Sequence, residues 1–126
     1  MGVTCDTGAL IAAVNGHRGI WALHAGFLAE EIVPIVPALV LAKVWRHDDG
    51  HVNLSRFLAM CEIEEMSAEQ AKAVGRLAGR SNHDDISDIT VIEGAIRRRD
   101  AVATSNPAAL RAIADSVGAR LHIEPI

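Results

Sequence analysis

The chain has 126 residues, half of them hydrophobic. That is enough to bury one sizeable core and short for two domains, so residues 1–126 are expected to form one unit. A net charge of −4 and an inventory of no Tyr, two Phe and two Trp exclude a basic coat for nucleic acid and aromatic platforms for stacked bases, though not an enzyme that meets nucleic acid through a metal ion.

In chain order, "GVTCDT" reads as a short strand ending at Asp6, and "TGALIAAVNG" as a helix running from Thr7 to a stop at Gly16. "HRGIWALHAGFLAE" places Ile20, Leu23, His24, Phe27 and Leu28 at helical spacing. Its apolar surface is wider than one buried face requires, which suits a partner chain. "EIVPIV" is a strand weakened by Pro34, which cannot donate to a ladder. "PALVLAKVWRHDD" is a third helix with Pro37 at its first position and a stop at Gly50, and "NLSRFLAM" a short fourth. "CEIEE" alternates like a strand, and Ser67 with Gln70 forms a capping box that opens "AEQAKAVGRLAGRS".

After the polar loop "SNHDD", Asp85 or Ser87 caps "DITVIEGAIRRR", whose stripe of Ile89, Ile92, Ala95 and Ile96 is expected to be buried. "AVATS" is a strand, "NPAALRAIADSVG" a helix capped by Asn106 with Pro107 at its first position, and "ARLHIE" the last strand. Strands alternate with helices throughout. The pattern predicts an α/β domain with a mainly parallel sheet of about four to five strands and helices on both faces.

Cys5 and Cys61 fall in two of the strand-like stretches and read as reduced core residues, not a disulfide framework. No apolar run approaches the roughly 18 residues of a membrane span, and the N-terminus lacks the order of a signal peptide. The expected location is the cytoplasm, away from membranes.

In open α/β sheets ligands bind beyond the carboxyl ends of the strands. Asp6 ends the first strand there, and Thr104, Ser105 and Asn106 end the fourth. Asp85 and Asp88 stand one helical turn apart just before that strand. Converging carboxylates suit Mg²⁺ or Mn²⁺, and such a site activates water against a phosphodiester. The same residues also suit a simpler role, because Asp and Ser favour helix N-termini and turns.

Three stretches resemble the PIN-domain ribonucleases, and among them the VapC toxins of bacterial toxin–antitoxin pairs. "VTCDTGALIAAV" is similar to the family's opening strand and first acid, "VPALVLAKVWR" to its helix "P-x-x-x-x-E-v", and "HDDISDITVIEGAIRRRDAVATSNPAALRAIA" to its later acidic motif and "T-S-D-P-x-D-L" segment. The resemblance runs nearly end to end and implies a PIN-like fold. It assigns the metal site to Asp6, Asp88 and Asp85, with Thr7, Thr104 and Ser105 as supporting polar groups and Asn106 at the place of a fourth acid; the segment's later Asp is Ala109 here. It implies an endoribonuclease dependent on Mg²⁺ or Mn²⁺, a homodimer, an RNA substrate and a cognate VapB-type antitoxin.

One departure is chemical. The family's glutamate is Lys43 here. By resemblance Lys43 points into the pocket, where Asp6 and Asp88 meet its ammonium and its stem lies along Leu39 and Val40. A cation about 4 Å from a divalent ion costs roughly 8 kcal/mol gross at an effective dielectric near 20. Screening reduces that greatly, but even about 3 kcal/mol weakens metal binding more than a hundredfold. The expectation is a nuclease weakened or silenced at one position. Two origins fit Lys43, a degenerate natural member or an inactivating substitution in a toxic protein, and the intact surroundings favour the second.

Other readings stand beside this one. The chain can be a catalytically dead PIN domain that binds RNA or antitoxin, or a receiver-like phosphoacceptor, against which Lys43 on an early helix argues. Lys43 can also simply snorkel to the surface. The histidines of "HDDGH" and "HDD" lack a zinc-ligand spacing with cysteine and read as solvated loop residues. Arg97, Arg98 and Arg99 suit a helix C-terminus or an RNA phosphate, and Trp21 and Trp45 on their helices suit packing.

Overall fold

A computed structural model describes residues 2–46 and 51–126. His47, Asp48, Asp49 and the stop expected at Gly50 lie outside the described residues. The elements are β1 (Val3–Cys5), α1 (Thr7–Val14), α2 (Arg18–Ala29), β2 (Ile35–Pro37), α3 (Ala38–Val44) and α4 (Val52–Leu58). They continue with β3 (Glu62–Glu64), α5 (Ala68–Ser81), α6 (Ile86–Arg98), β4 (Ala101–Thr104), α7 (Pro107–Ser116) and β5 (Ile123–Pro125).

The five strands form one sheet in the order β3-β2-β1-β4-β5, parallel at every pairing. Strand order runs outward in both directions from β1 and β4, so the topological switch point lies between these two central strands. Right-handed crossovers then place α1 to α4 on one face and α5 to α7 on the other. The packing agrees: α1 contacts α2, α3 and α4, while α6 contacts α5 and α7. The core is aliphatic, with Val3, Leu10, Val36, Val40, Ile89, Ile92, Val102 and Leu110 almost fully buried. Each such side chain stabilises the fold by about 2 kcal/mol.

Local chemistry sets the helix ends. Ser67 accepts from the Gln70 backbone amide at 3.0 Å, but the Gln70 side chain turns to Glu64 at 3.0 Å instead of closing the box. Asp85, not Ser87, caps α6, and Asn106 caps α7 with Pro107 next to it. Gly16 ends the turn after α1 at φ +69°, a conformation that disfavours other residues.

Several expectations are corrected. Pro37 is the last residue of β2 and the N-cap of α3, one place earlier than predicted. α3 stops at Val44, so Trp45 lies just beyond it, with its ring 4.6 Å from that of His51. His51 is therefore packed and half-buried, not simply solvated. Ile96 is exposed, because the buried side of α6 has rotated past it. Cys61 precedes β3 and is half-buried. Both cysteines are free, and burial pushes the Cys61 thiol up to about 12. Trp21 does pack, its indole donating to the Ala13 carbonyl at 3.2 Å. The exposed side of α2 includes Leu28.

Candidate functional site

The pairing of Cys5 with Ala103 brings the ends of β1 and β4 side by side. Asp6 and Thr104 therefore meet, and the Thr104 hydroxyl donates to Asp6 Oδ2. Asp6 Oδ1 accepts from the Ala9 amide at 2.8 Å, so one carboxylate both caps α1 and faces the switch point. It is only 4% exposed. Burial raises its pKa above the ordinary value, the bonds from Thr104 and Ala9 pull against that, and the charge of Asp88 adds to it.

α6 begins at the same edge. Asp85 Oδ1 accepts from the Ser87 hydroxyl at 2.6 Å and from the amides of Ser87 and Asp88 at 3.0 and 3.2 Å. Lys43, in the last turn of α3, places its ammonium 3.4 Å from Asp85 Oδ2 and 3.1 Å from the Ser87 hydroxyl. Burial works against ionisation of Asp85, but the bonds from Ser87 and Asp88 and the Lys43 cation outweigh it and hold the carboxyl low. Asp88 goes the other way. Burial raises its pKa first and the Asp85 charge second, with His83 and Lys43 opposing.

Lys43 thus meets partners other than those expected. Its ammonium sits on the rim with Asp85 and Ser87, its side chain 42% exposed, and not between Asp6 and Asp88. Its charge acts on Asp85 and Asp88. The stem does leave the helix toward the surface, so the snorkelling reading is partly right.

The loop after β4 closes the site. Thr104 Oγ1 also accepts from the Asn106 amide at 2.9 Å, and Asn106 Oδ1 accepts from the Ala109 amide at 3.4 Å. Asn106 therefore serves as a cap, and Ser105 is exposed beside it. The Thr7 hydroxyl is buried with no hydrogen-bond partner.

Two residues that sequence reading missed belong here. A Cβ on Gly8 would press on Ser105, 3.1 Å from its Cβ and 3.3 Å from its backbone nitrogen, so glycine eases the close start of α1 against the β4–α7 loop. His83, read as a solvated loop residue, is half-buried with Nε2 3.6 Å from Asp88 Oδ2. A lone His with acids one, two and five residues along gave no spacing signal. Arg97 and Arg98, in contrast, are engaged elsewhere, with Glu64, Glu93 and Asp100.

A resident divalent ion would need several converging oxygen donors. Carboxylates at Asp6 and Asp88 and an unused hydroxyl at Thr7 have the right chemistry. Yet among the described residues no three His, Cys, Asp or Glu side chains converge closely enough to hold a metal. Asp85 is spent on a helix cap and an ammonium, and both Asp6 oxygens are bonded within the protein. As the chain stands, these residues do not fit the ion.

No protein-family model and no curated protein matches the sequence. Among solved structures, a chain of the crystal structure of VapBC2 from Rickettsia felis bound to a DNA fragment from their promoter superposes with a TM-score of 0.75. The likeness covers 100% of this chain and 99% of that one at 20% sequence identity. The chain has a VapC-like PIN fold. The VapC-like PIN architecture implied by the three motifs and the five-stranded parallel sheet thus agree. Among the described residues, no helix is long and apolar enough to cross a membrane.

Proposed function

We propose that the chain is a VapC-like toxin built as a metal-dependent endoribonuclease and silenced at Lys43. The observation that carries this is the Lys43–Asp85 ion pair at the mouth of the acidic pocket. Burial raises the pKa values of Asp6 and Asp88, with the charge of Asp88 adding to the first and that of Asp85 to the second, an arrangement that costs stability. By resemblance, a glutamate at the position of Lys43 would complete a donor set for Mg²⁺ or Mn²⁺, and this chain carries an ammonium there instead. Thr7, Thr104, Ser105 and Asn106 support the pocket as hydroxyl and amide groups around Asp6. The structural neighbour comes from a VapBC complex, which supports a VapB-type antitoxin as partner. RNA as substrate and a homodimer follow from the motif resemblance, and a cytoplasmic setting from an N-terminus without signal-peptide order.

The test is RNA cleavage by the chain as given beside Lys43→Glu, each with Mg²⁺, with Mn²⁺ and with EDTA. The expected result is cleavage by the glutamate form alone, abolished by EDTA. Equal cleavage by both forms would show that Lys43 does not silence the site. Silence from both across several RNAs would favour a dead domain that binds antitoxin or RNA, a reading in keeping with Asn106 and Ala109 at the family's later acidic positions.

A further inference from the structure

A second recess lies away from the acidic edge, on the opposite helical layer. It is a groove of about 500 Å³ between α5, the C-terminal half of α6 and the turn after α7. Leu77, Ile96 and Val117 form an apolar floor, and Ile96 stays exposed although Ile89 and Ile92 of the same helix are buried. Arg76 and Arg80 line the groove one turn apart on α5, both exposed and neither with an ion-pair or hydrogen-bond partner among the described residues. Arg97, the third arginine of the groove, is already held by Glu64 and Glu93.

We infer that this groove docks an acidic amphipathic helix of a protein partner. Its apolar side covers Leu77, Ile96 and Val117. Two carboxylates one turn apart pair with Arg76 and Arg80, where planar guanidinium groups bind carboxylates through two parallel bonds. RNA phosphates would answer the arginines but leave the apolar floor uncovered. This reading is independent of the nuclease site.

The experiment is fluorescence anisotropy on the full chain with a labelled synthetic helix carrying leucines along one side and glutamates one turn apart beside them. A glutamine version and a lysine version serve as controls. The glutamate helix is expected to bind, and the glutamine version about tenfold more weakly or worse. R76E/R80E, at two exposed positions that leave folding intact by circular dichroism, is expected to lose the glutamate helix and to favour the lysine one. The proposal is overturned by no binding of the glutamate helix, by equal affinity for the glutamate and glutamine helices, or by R76E/R80E without effect. It is also overturned if single-stranded RNA, and not the helix, is what R76E/R80E stops binding, or if that variant loses self-association in sedimentation instead.

Discussion

The two ends of α6 carry charge in opposite ways. At its C-terminal end, Arg98 bonds Glu64 at 2.6 Å, Asp100 at 2.9 Å and the Thr4 hydroxyl at 2.9 Å, while Arg97 spans Glu64 and Glu93. Every carboxylate there has a guanidinium partner, and Glu64 is held below its ordinary pKa: burial opposes its ionisation, and the two arginines overcome it. At the N-terminal end, three acids share one exposed lysine and one histidine, and two of the acids are pushed up. The first end is a satisfied network that ties α6 to β1, β3 and the start of β4. The second is electrostatically frustrated, and frustration that packing does not require is the mark of a site.

The sharpest way to break the comparison is at Arg98. Arg98→Met leaves Asp100, only 5% exposed, without its guanidinium. Removing one partner of a buried pair is expected to cost about 3 kcal/mol of unfolding free energy, read by urea denaturation. A loss below about 1 kcal/mol would show this end to be no more than a surface ion pair. Asp85→Ala comes next, at about 1 kcal/mol, almost all of it the lost cap. Lys43→Met should change stability by less than about 0.5 kcal/mol, because the pair is largely exposed. If Lys43→Met costs as much as Asp85→Ala, the lysine is structural and its placement by the acids needs no functional reading.

The two ends should also answer acid with opposite signs. Glu64 has a depressed pKa in the folded state, so below its ordinary value of 4.5 the unfolded chain binds more protons and the stability it contributes is lost as pH falls. Glu64→Gln should therefore be most harmful at neutral pH, the gap to the parent narrowing in acid. Asp88 is raised from 3.8, so the folded chain binds the extra proton and its penalty is relieved as pH falls. Asp88→Asn should gain about half a kcal/mol at neutral pH, the gain vanishing as pH falls through the raised pKa. Thermal melts of both variants between neutral and acid pH decide the matter, and parallel profiles would erase the distinction. The smallest effect is expected outside both ends. His24 is buried against Phe57 with neither ring nitrogen bonded, and burial pushes its pKa below 6.5. Stability from the neutral ring is present above 6.5 and lost as pH falls below it, a slope that His24→Phe should remove.

Much of this was legible from local chemistry. Alternating strand and helix patterns specify a parallel sheet, and Ser67, Asp85 and Asn106 stand where their helices begin, because capping is decided within four residues. Asp6 at the end of the first strand was legible for the same reason. What the pattern did not contain was contact across the fold. Lys43 finds Asp85 and Ser87 at a separation of more than 40 residues, and no spacing rule foretells which acid a flexible ammonium will reach. His83 over Asp88 and Gly8 against Ser105 depend on how α6 and α1 seat on the sheet. Ile96 was misplaced because a helical stripe has two edges, and α5 with α7 leaves one of them open.

The placement of β1 between β2 and β4 bears on how the protein comes into being. The hydroxyl that holds Asp6 belongs to Thr104, 98 positions later in the chain. Closing so distant a contact is slow, since the entropy of the intervening chain is lost before the pairing returns anything. A polypeptide still under synthesis therefore carries its acids as separate, solvated side chains. Any product that ends before β4 lacks Thr104, and Asp6 meets the hydroxyl that holds it only once β4 has been made.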